Sequence, residues 1–319
     1  MIILIFLISL SITVIIERRL IPYLKPKATQ PIYESGPSWH MSKSGTPTMG
    51  GLAFLIGIGL SLLAYCILSR ENQTVISAIL ISLIFAIGNA AVGIIDDMTK
   101  IRKRENAGLK PYEKIIFQLL LAIIFLMARR FFLGDDSVLR FSSFEIDLGW
   151  IYYPLAIIII LGTTNCANLT DGIDGLAASV AIALGFAFLI LSGGHNKEIA
   201  PISAALIGGS LGFFFFNRHP AKIFMGDTGS LFLGGLATAL AFAFNNPIII
   251  LFLGGVYAIE GVSVILQVIY FKLTKKRLFK MAPLHHHLEK CGIGENKICI
   301  IAICLTALLT LLAVCIFRI

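Results

Sequence analysis

The chain has 319 residues, of which 57% are hydrophobic and 14% charged, whereas an ordinary soluble domain is about 25% charged. With a mean hydropathy of +0.89, this excludes a soluble globular protein and a disordered one, and 29 Gly and 11 Pro without a period exclude a collagen-like or low-complexity chain. A net charge of +8 would raise nucleic acid as a partner, but the basic residues sit between apolar runs, which points to a bilayer and to no nucleic acid.

About 20 apolar residues are needed for a helix to cross the hydrocarbon core. Ten runs approach that length, near residues 1 to 16, 50 to 69, 75 to 95, 114 to 133, 150 to 169, 175 to 193, 199 to 216, 229 to 246, 248 to 271 and 297 to 317. The first has no positive charge before it and Arg18-Arg19 after it, the reverse of a cleavable signal peptide, so it reads as a retained anchor with its amino terminus outside. The 134 to 149 loop alternates Phe144, Ile146 and Leu148 with Glu145 and Asp147, the period of a short β-hairpin. Gly254-Gly255 in the ninth run permits a kink. The six cysteines (Cys66, Cys166, Cys291, Cys299, Cys304, Cys315) form no CxxC pair and read as buried thiols.

Alternating the loops from an outside amino terminus provides a test, because Lys and Arg collect in cytoplasmic loops. Loops 17 to 49, 96 to 114, 217 to 228 and 271 to 297 hold 20 of the 26 bases, and that side also holds 12 of the 18 acids. The net positive charge is therefore all cytoplasmic. The expected architecture is a single all-α polytopic membrane domain over residues 1 to 319, with about ten transmembrane helices, both termini outside, the active-site face in the cytoplasm and a short outer β-hairpin.

Five constellations fall on that cytoplasmic side. Asn89, Gly93 and Asp96-Asp97 share a helix face at the end of the third run. Acids there oppose the helix dipole unless a cation compensates, and Lys100, Arg102, Lys103, Arg104 and Lys114 are near. Next, NCANLTDGIDGLA (165 to 177) brings Asn165, Asn168, Asp171 and Asp174 together without any Lys or Arg. Its acids suit either a helix cap or a polar ligand, while the twelve-residue calcium-loop pattern is missing. In NRHPAKIFMGDTGS (217 to 230), Asp227 suits an N-cap or a ligand, and Phe224 suits an interface anchor or a stacking platform.

The fourth places Glu260, Ser263 and Gln267 on one face inside the ninth run, where an ionisable residue is a functional candidate or an interhelical strut. The fifth, MAPLHHHLE (281 to 289), carries three successive histidines that point different ways, which argues against one metal using all three. Carboxylates set among Lys, Arg and His at a membrane surface suit a divalent cation shared with a phosphorylated substrate, and Mg²⁺ takes such oxygen ligands.

GTPTMGG (45 to 51), GIIDDMTK (93 to 100), NLTDGIDGL (168 to 176), FMGDTGSL (224 to 231) and MAPLHHHLEK (281 to 290) together resemble the phospho-N-acetylmuramoyl-pentapeptide transferases. The motifs cover most of the chain in family order. The resemblance implies transfer of phospho-MurNAc-pentapeptide from UDP-MurNAc-pentapeptide to undecaprenyl phosphate at the bacterial inner membrane, giving lipid I and UMP with Mg²⁺ as cofactor. It leaves room for a homodimer.

By the same resemblance Asp227 would hold Mg²⁺ against the pyrophosphate, and Asp96 and Asp97 would act near the lipid phosphate. Lys114 and Lys43 would offset phosphate charge, and Asn168 would order the metal region. The uracil would stack on Phe224 and be read by Gly172, Asp174 and Asn217, with Asp171 and Thr48 nearby. His285, His286 and His287 would face the sugar-peptide and phosphate end, Gln267 would join the substrate-binding set, and the ninth run would form a wall of the groove for the polyprenyl tail.

Two other readings stay open at this point. A sister transferase using another UDP-sugar would differ mainly around the histidine loop. A transporter would place its acids near the midplane and often show repeat symmetry, neither of which is seen here. A prenyl-chain enzyme needs DDxxD, and this chain has DDMTK.

Overall fold

The computed structural model describes residues 1–28, 43–103, 108–141, 143–193 and 195–317. Glu34, Arg104, Glu105 and Arg318 of the charge count lie outside the described residues. The chain is a helical bundle: α1 (Ile2–Leu24), α2 (Gly51–Leu68), α3 (Gln73–Lys103), α4 (Pro111–Ala128), α5 (Tyr152–Thr170), α6 (Leu176–Leu191), α7 (Ile199–Asn217), α8 (Gly226–Ala243), α9 (Ile250–Leu253), α10 (Gly255–Thr274), α11 (Leu284–Lys290) and α12 (Glu295–Phe317). Seven of the described helical segments are long and apolar enough to cross a membrane.

At the centre stands α8, whose residues from Thr228 to Ala243 are all buried. Its run of Gly, Ala, Ser and Thr lets neighbouring backbones approach, as expected for helix contacts in lipid. It packs on α3, α5 and α2, while α7 packs on α1, α6 and α2. Apolar side chains on the outer helices turn outward instead, among them Ile300, Leu308 and Leu311 of α12 and Val262, Ile265 and Leu273 of α10. In water such faces would be an aggregation liability, and in a bilayer they are solvated.

Each apolar run of the sequence has become a helix, the ninth broken as the paired glycines suggested. After a 3₁₀ turn (Pro247–Ile249), α9 stops at Gly254 and α10 starts at Gly255, where a Cβ would lie 2.4 Å from Leu309 of α12. The expected hairpin is present as β1 (Val138–Arg140) and β2 (Glu145–Asp147), antiparallel with Leu139 opposite Ile146. The cysteines need correction. Only Cys299 is buried, and Cys291, Cys304 and Cys315 are exposed. Cys304 and Cys315 lie on α12, most of whose surface is not covered by protein, so their apolar sequence context marks a face toward lipid rather than a core.

Candidate active site

The third helix runs past its apolar stretch to Lys103, and its end meets the start of α8. Gly93 makes the approach possible: a Cβ there would lie 2.2 Å from the Asp227 carbonyl oxygen. Two turns of chemistry follow from this junction. The first N–H groups of a helix lack intrahelical partners, and here they are met from another helix. Asp227 N–H and Thr228 N–H donate to the Asp97 carboxylate at 3.1 and 2.9 Å, and the Thr228 hydroxyl donates to it at 2.7 Å. Gly226 has φ +71 and a Cβ on it would sit 2.5 Å from Asp97 Oδ2, so both conformation and space require glycine. Asp97, and not Asp227, therefore caps α8.

Asp227 is left to face Asp96. Lys114 Nζ lies 3.0 Å from Asp96 Oδ1 and 2.5 Å from Asp227 Oδ2, and Lys100 Nζ lies 2.7 Å from Asp96 Oδ2 and 3.2 Å from Asp227 Oδ1. Lys100 follows Asp96 by one helical turn, whereas Lys114 comes from the first turn of α4. That turn is set by Pro111 and by Glu113, whose carboxylate accepts the Lys110 N–H at 2.8 Å. Leu109 N–H also donates to Asp96 Oδ1 at 2.7 Å. Three carboxylates and two ammonium groups make a centre of net −1.

Oxygen atoms of Asp96, Asp97 and Asp227 fall within 4.8 Å of one another. Hard oxygen donors of this kind fit Mg²⁺, which keeps waters and shares its shell with substrate phosphates. Asp97 accepts three hydrogen bonds, and Asp96 is fully buried against two lysines and the Leu109 N–H, so the partly exposed Asp227 is the freer donor.

A second cluster stands at the loop between α5 and α6. Lys43 Nζ lies 2.7 Å from both Asp174 Oδ1 and Glu295 Oε2. His219 Nδ1 is 2.9 Å from Asp174 Oδ2 and 3.2 Å from Glu295 Oε1. Asp174 also accepts the Ala221 N–H at 3.0 Å. Nearby, Asn217 is a buried strut: its oxygen accepts Gly175 N–H at 3.0 Å and its amide donates to the Ile223 carbonyl at 2.9 Å. Asn168 donates to the Ser230 hydroxyl at 2.8 Å, tying the loop to α8.

The GTPTMGG segment runs against FMGDTG. Phe224 N–H donates to the Pro47 carbonyl at 2.8 Å, Gly50 N–H to the Phe224 carbonyl at 2.9 Å, and Gly51 N–H to the Met225 carbonyl at 3.0 Å. This fixes the backbone under the half-buried Phe224 ring. Thr48 is buried beside Gly226, and its hydroxyl has no partner among the described residues. Asp171 closes α5, where burial and the carboxylates of Asp227, Asp97 and Asp174 push its carboxyl well above the usual range, with Lys100 opposing.

The three histidines diverge, as their spacing suggested. His285 is fully buried, its Nδ1 3.2 Å from Glu260 Oε2, and a Cβ on Gly172 would lie 2.1 Å from its Nε2. His286 Nδ1 lies 2.6 Å from Glu289, and His287 Nδ1 accepts the Lys280 N–H at 3.1 Å. Gln267 braces the same arm, its oxygen accepting Leu278 and Phe279 N–H at 3.1 and 2.8 Å.

Asp96, Asp97, Asp227 and Lys114 thus meet at one point, and Lys43 meets Asp174 at another. Gly172 meets His285, and His286, His287 and Gln267 belong to the supporting arm. Sequence reasoning left Lys100, Thr228, His219 and Glu295 out of the site. Lys100 was legible, one turn after Asp96. Nothing marked His219 or Glu295, because their partners are distant in the chain.

A bundle of apolar helices is the architecture of a polytopic membrane protein, and residues 76–245 match the glycosyl transferase family 4 model, which makes it a membrane transferase. Residues 43–55 match signature 1 of phospho-N-acetylmuramoyl-pentapeptide-transferase. Proteins of that name from Caldicellulosiruptor bescii and Halalkalibacterium halodurans are 42% and 45% identical, covering 98% and 92% of this chain and 96% and 90% of theirs. One from Clostridioides difficile is 38% identical over 97% of this chain and 95% of its own. The chain belongs to the phospho-N-acetylmuramoyl-pentapeptide transferase family.

Proposed function

We propose that the chain transfers phospho-MurNAc-pentapeptide from UDP-MurNAc-pentapeptide to undecaprenyl phosphate, forming lipid I and releasing UMP at the cytoplasmic side of the bacterial inner membrane. Family membership supports the reaction. The observation that carries the chemistry is the meeting of Asp96, Asp97 and Asp227 with Lys100 and Lys114 at the α3–α8 junction. An anionic phosphate must approach an anionic pyrophosphate in line, so the task is charge neutralisation and positioning.

Asp227, with help from Asp96, would hold Mg²⁺. The bound ion supplies positive charge to the pyrophosphate. Lys100 and Lys114, paired with these carboxylates in the present state, turn their ammonium groups to the phosphates of donor and acceptor. Asp96 orients the lipid phosphate, and Asp97 keeps the start of α8, and with it Asp227, in place. On the nucleotide side, the uracil stacks on Phe224 and is read by Asp174, with Gly172, Asp171 and Thr48 around it, and Lys43, paired with Asp174, offsets the charge of the UDP phosphates. Asn217 and Asn168 act by holding that loop and α8. His285, buried between Glu260 of α10 and Gly172, holds the α5–α6 loop, and His286, His287 and Gln267 shape the arm over the sugar-peptide.

Ten spanning helices with the amino terminus outside fit the distribution of Lys and Arg. The test is UMP release by the purified protein, omitting UDP-MurNAc-pentapeptide, undecaprenyl phosphate and Mg²⁺ in turn. The reading requires all three. UMP from UDP-N-acetylglucosamine instead would assign the chain to a sister activity.

A further inference from the structure

Glu295 opens α12, where a carboxylate is favoured by the helix dipole. Its side chain is only 10% exposed, and both oxygens are in use. Oε2 accepts Lys43 Nζ at 2.7 Å and Asp174 N–H at 2.7 Å, and Oε1 faces His219 Nδ1 at 3.2 Å. Three segments far apart in the chain therefore converge on one carboxylate: the loop before α2, the α5–α6 loop and the α7–α8 loop.

The ligand atoms of Asp174, His219 and Glu295 lie close enough for a metal. However, the Lys43 ammonium already stands between the two carboxylates at 2.7 Å from each. The cluster is a clamp with a built-in cation. Without Glu295, Lys43 would keep one anchor, and Asp174 would lose a bond to its backbone N–H at the position that sets where its carboxylate points. A buried donor left unpaired, or a charged bond lost, weakens the arrangement it served.

We infer that Glu295 is a positioning residue that sets donor-nucleotide affinity by holding Lys43 and Asp174 in register. The inference rests on the proposed role of those two residues in reading the UDP moiety. It extends the nucleotide end of the site to the last helix, beyond residues 76–245 of the general glycosyl transferase match, while Lys43 opens the narrower signature at 43–55. Glu295 touches no reacting atom in this scheme. It acts on binding and not on the chemical step.

The test compares wild type with Glu295→Gln, which keeps the shape and removes the charge, and Glu295→Asp, which keeps the charge on a shorter stem. UDP affinity is measured directly by calorimetry on the full-length protein, and donor and lipid KM and kcat are measured by UMP release. For Glu295→Gln, UDP affinity should fall and donor KM should rise about tenfold, with kcat and lipid KM within about twofold, the pattern of lost ground-state binding. Glu295→Asp should fall between the two.

Unchanged UDP affinity in Glu295→Gln would overturn the inference, as would a parallel loss in kcat and in both KM values. A variant that does not fold would leave Glu295→Asp and His219→Gln to decide by the same UDP measurement. If wild type releases no UMP yet binds UDP more tightly than Glu295→Gln, the clamp stands and the proposed reaction falls. Failure of wild type to bind UDP would remove both.

Discussion

The carboxylates of Asp96, Asp97 and Asp227 lie within 4.8 Å of one another, and each has a different environment. Asp97 accepts three donors from α8, Asp96 holds two lysines and the Leu109 N–H, and Asp227 holds the same two lysines from the far side. Two adjacent acids identical in sequence thus divide into a cap on α8 and a carboxylate held by two lysines. Their pairing was legible in the sequence, but the division was not, because it depends on which one faces α8. Asp171 carries a consequence for pH. Burial and three neighbouring acids push its carboxyl well above the usual carboxylate range in the fold, whereas in the unfolded chain it ionises in that range. Folding then takes up a proton, and stability falls as pH rises through and above the usual carboxylate range. In chelator-containing detergent buffer, Asp171→Asn should be free of this loss. Its melting temperature should exceed that of wild type by a margin that widens as pH rises through and above the usual carboxylate range. A margin independent of pH would show that Asp171 ionises freely in the fold.

At the scale of elements, the α3–α8 junction is where helix packing becomes chemistry. The two backbones touch at Gly93, so a side chain there must push α8 away by its amino-terminal end. Gly93→Val should therefore lower UMP release by about two orders of magnitude, the scale of an ångström's misplacement at a reacting centre, while the protein still inserts and purifies as a folded species. Normal turnover in Gly93→Val would mean that the junction tolerates displacement. The elements themselves were largely readable. The apolar runs, an alternating loop and a glycine pair correspond to helical segments, the β1–β2 hairpin and the break between α9 and α10. Helix ends were less so. The third run ends at residue 95 by hydropathy but α3 continues to Lys103, since Lys100, Arg102 and Lys103 compensate the dipole and Asp96 pairs with Lys100. The polar last turns are where the site lies, so hydropathy alone stops just short of it.

Across the whole molecule, charge and apolar surface are segregated. A buried central helix, α8, is surrounded by others whose outer faces are apolar, and the acids and bases of the site gather at the end of α8 where Asp227 begins it. Composition made the membrane setting legible from the outset. What composition could not supply was contact between segments distant in the chain. Lys43 with Glu295, Lys114 with Asp227 and Glu260 with His285 follow only from packing.

In the proposed reaction, phosphoryl transfer depends on the Asp227 carboxylate at the α3–α8 junction. The most direct measurement is UMP release in a reconstituted bilayer by wild type and by Asp227→Asn, a substitution that keeps size and removes charge, across a Mg²⁺ titration. Wild type should turn over in a Mg²⁺-dependent way, and the variant should lose about a hundredfold to a thousandfold at every Mg²⁺ concentration, as for removal of a principal charge-stabilising group, with its melting temperature preserved. Turnover in Asp227→Asn restored to the wild-type level at high Mg²⁺ would contradict this dependence.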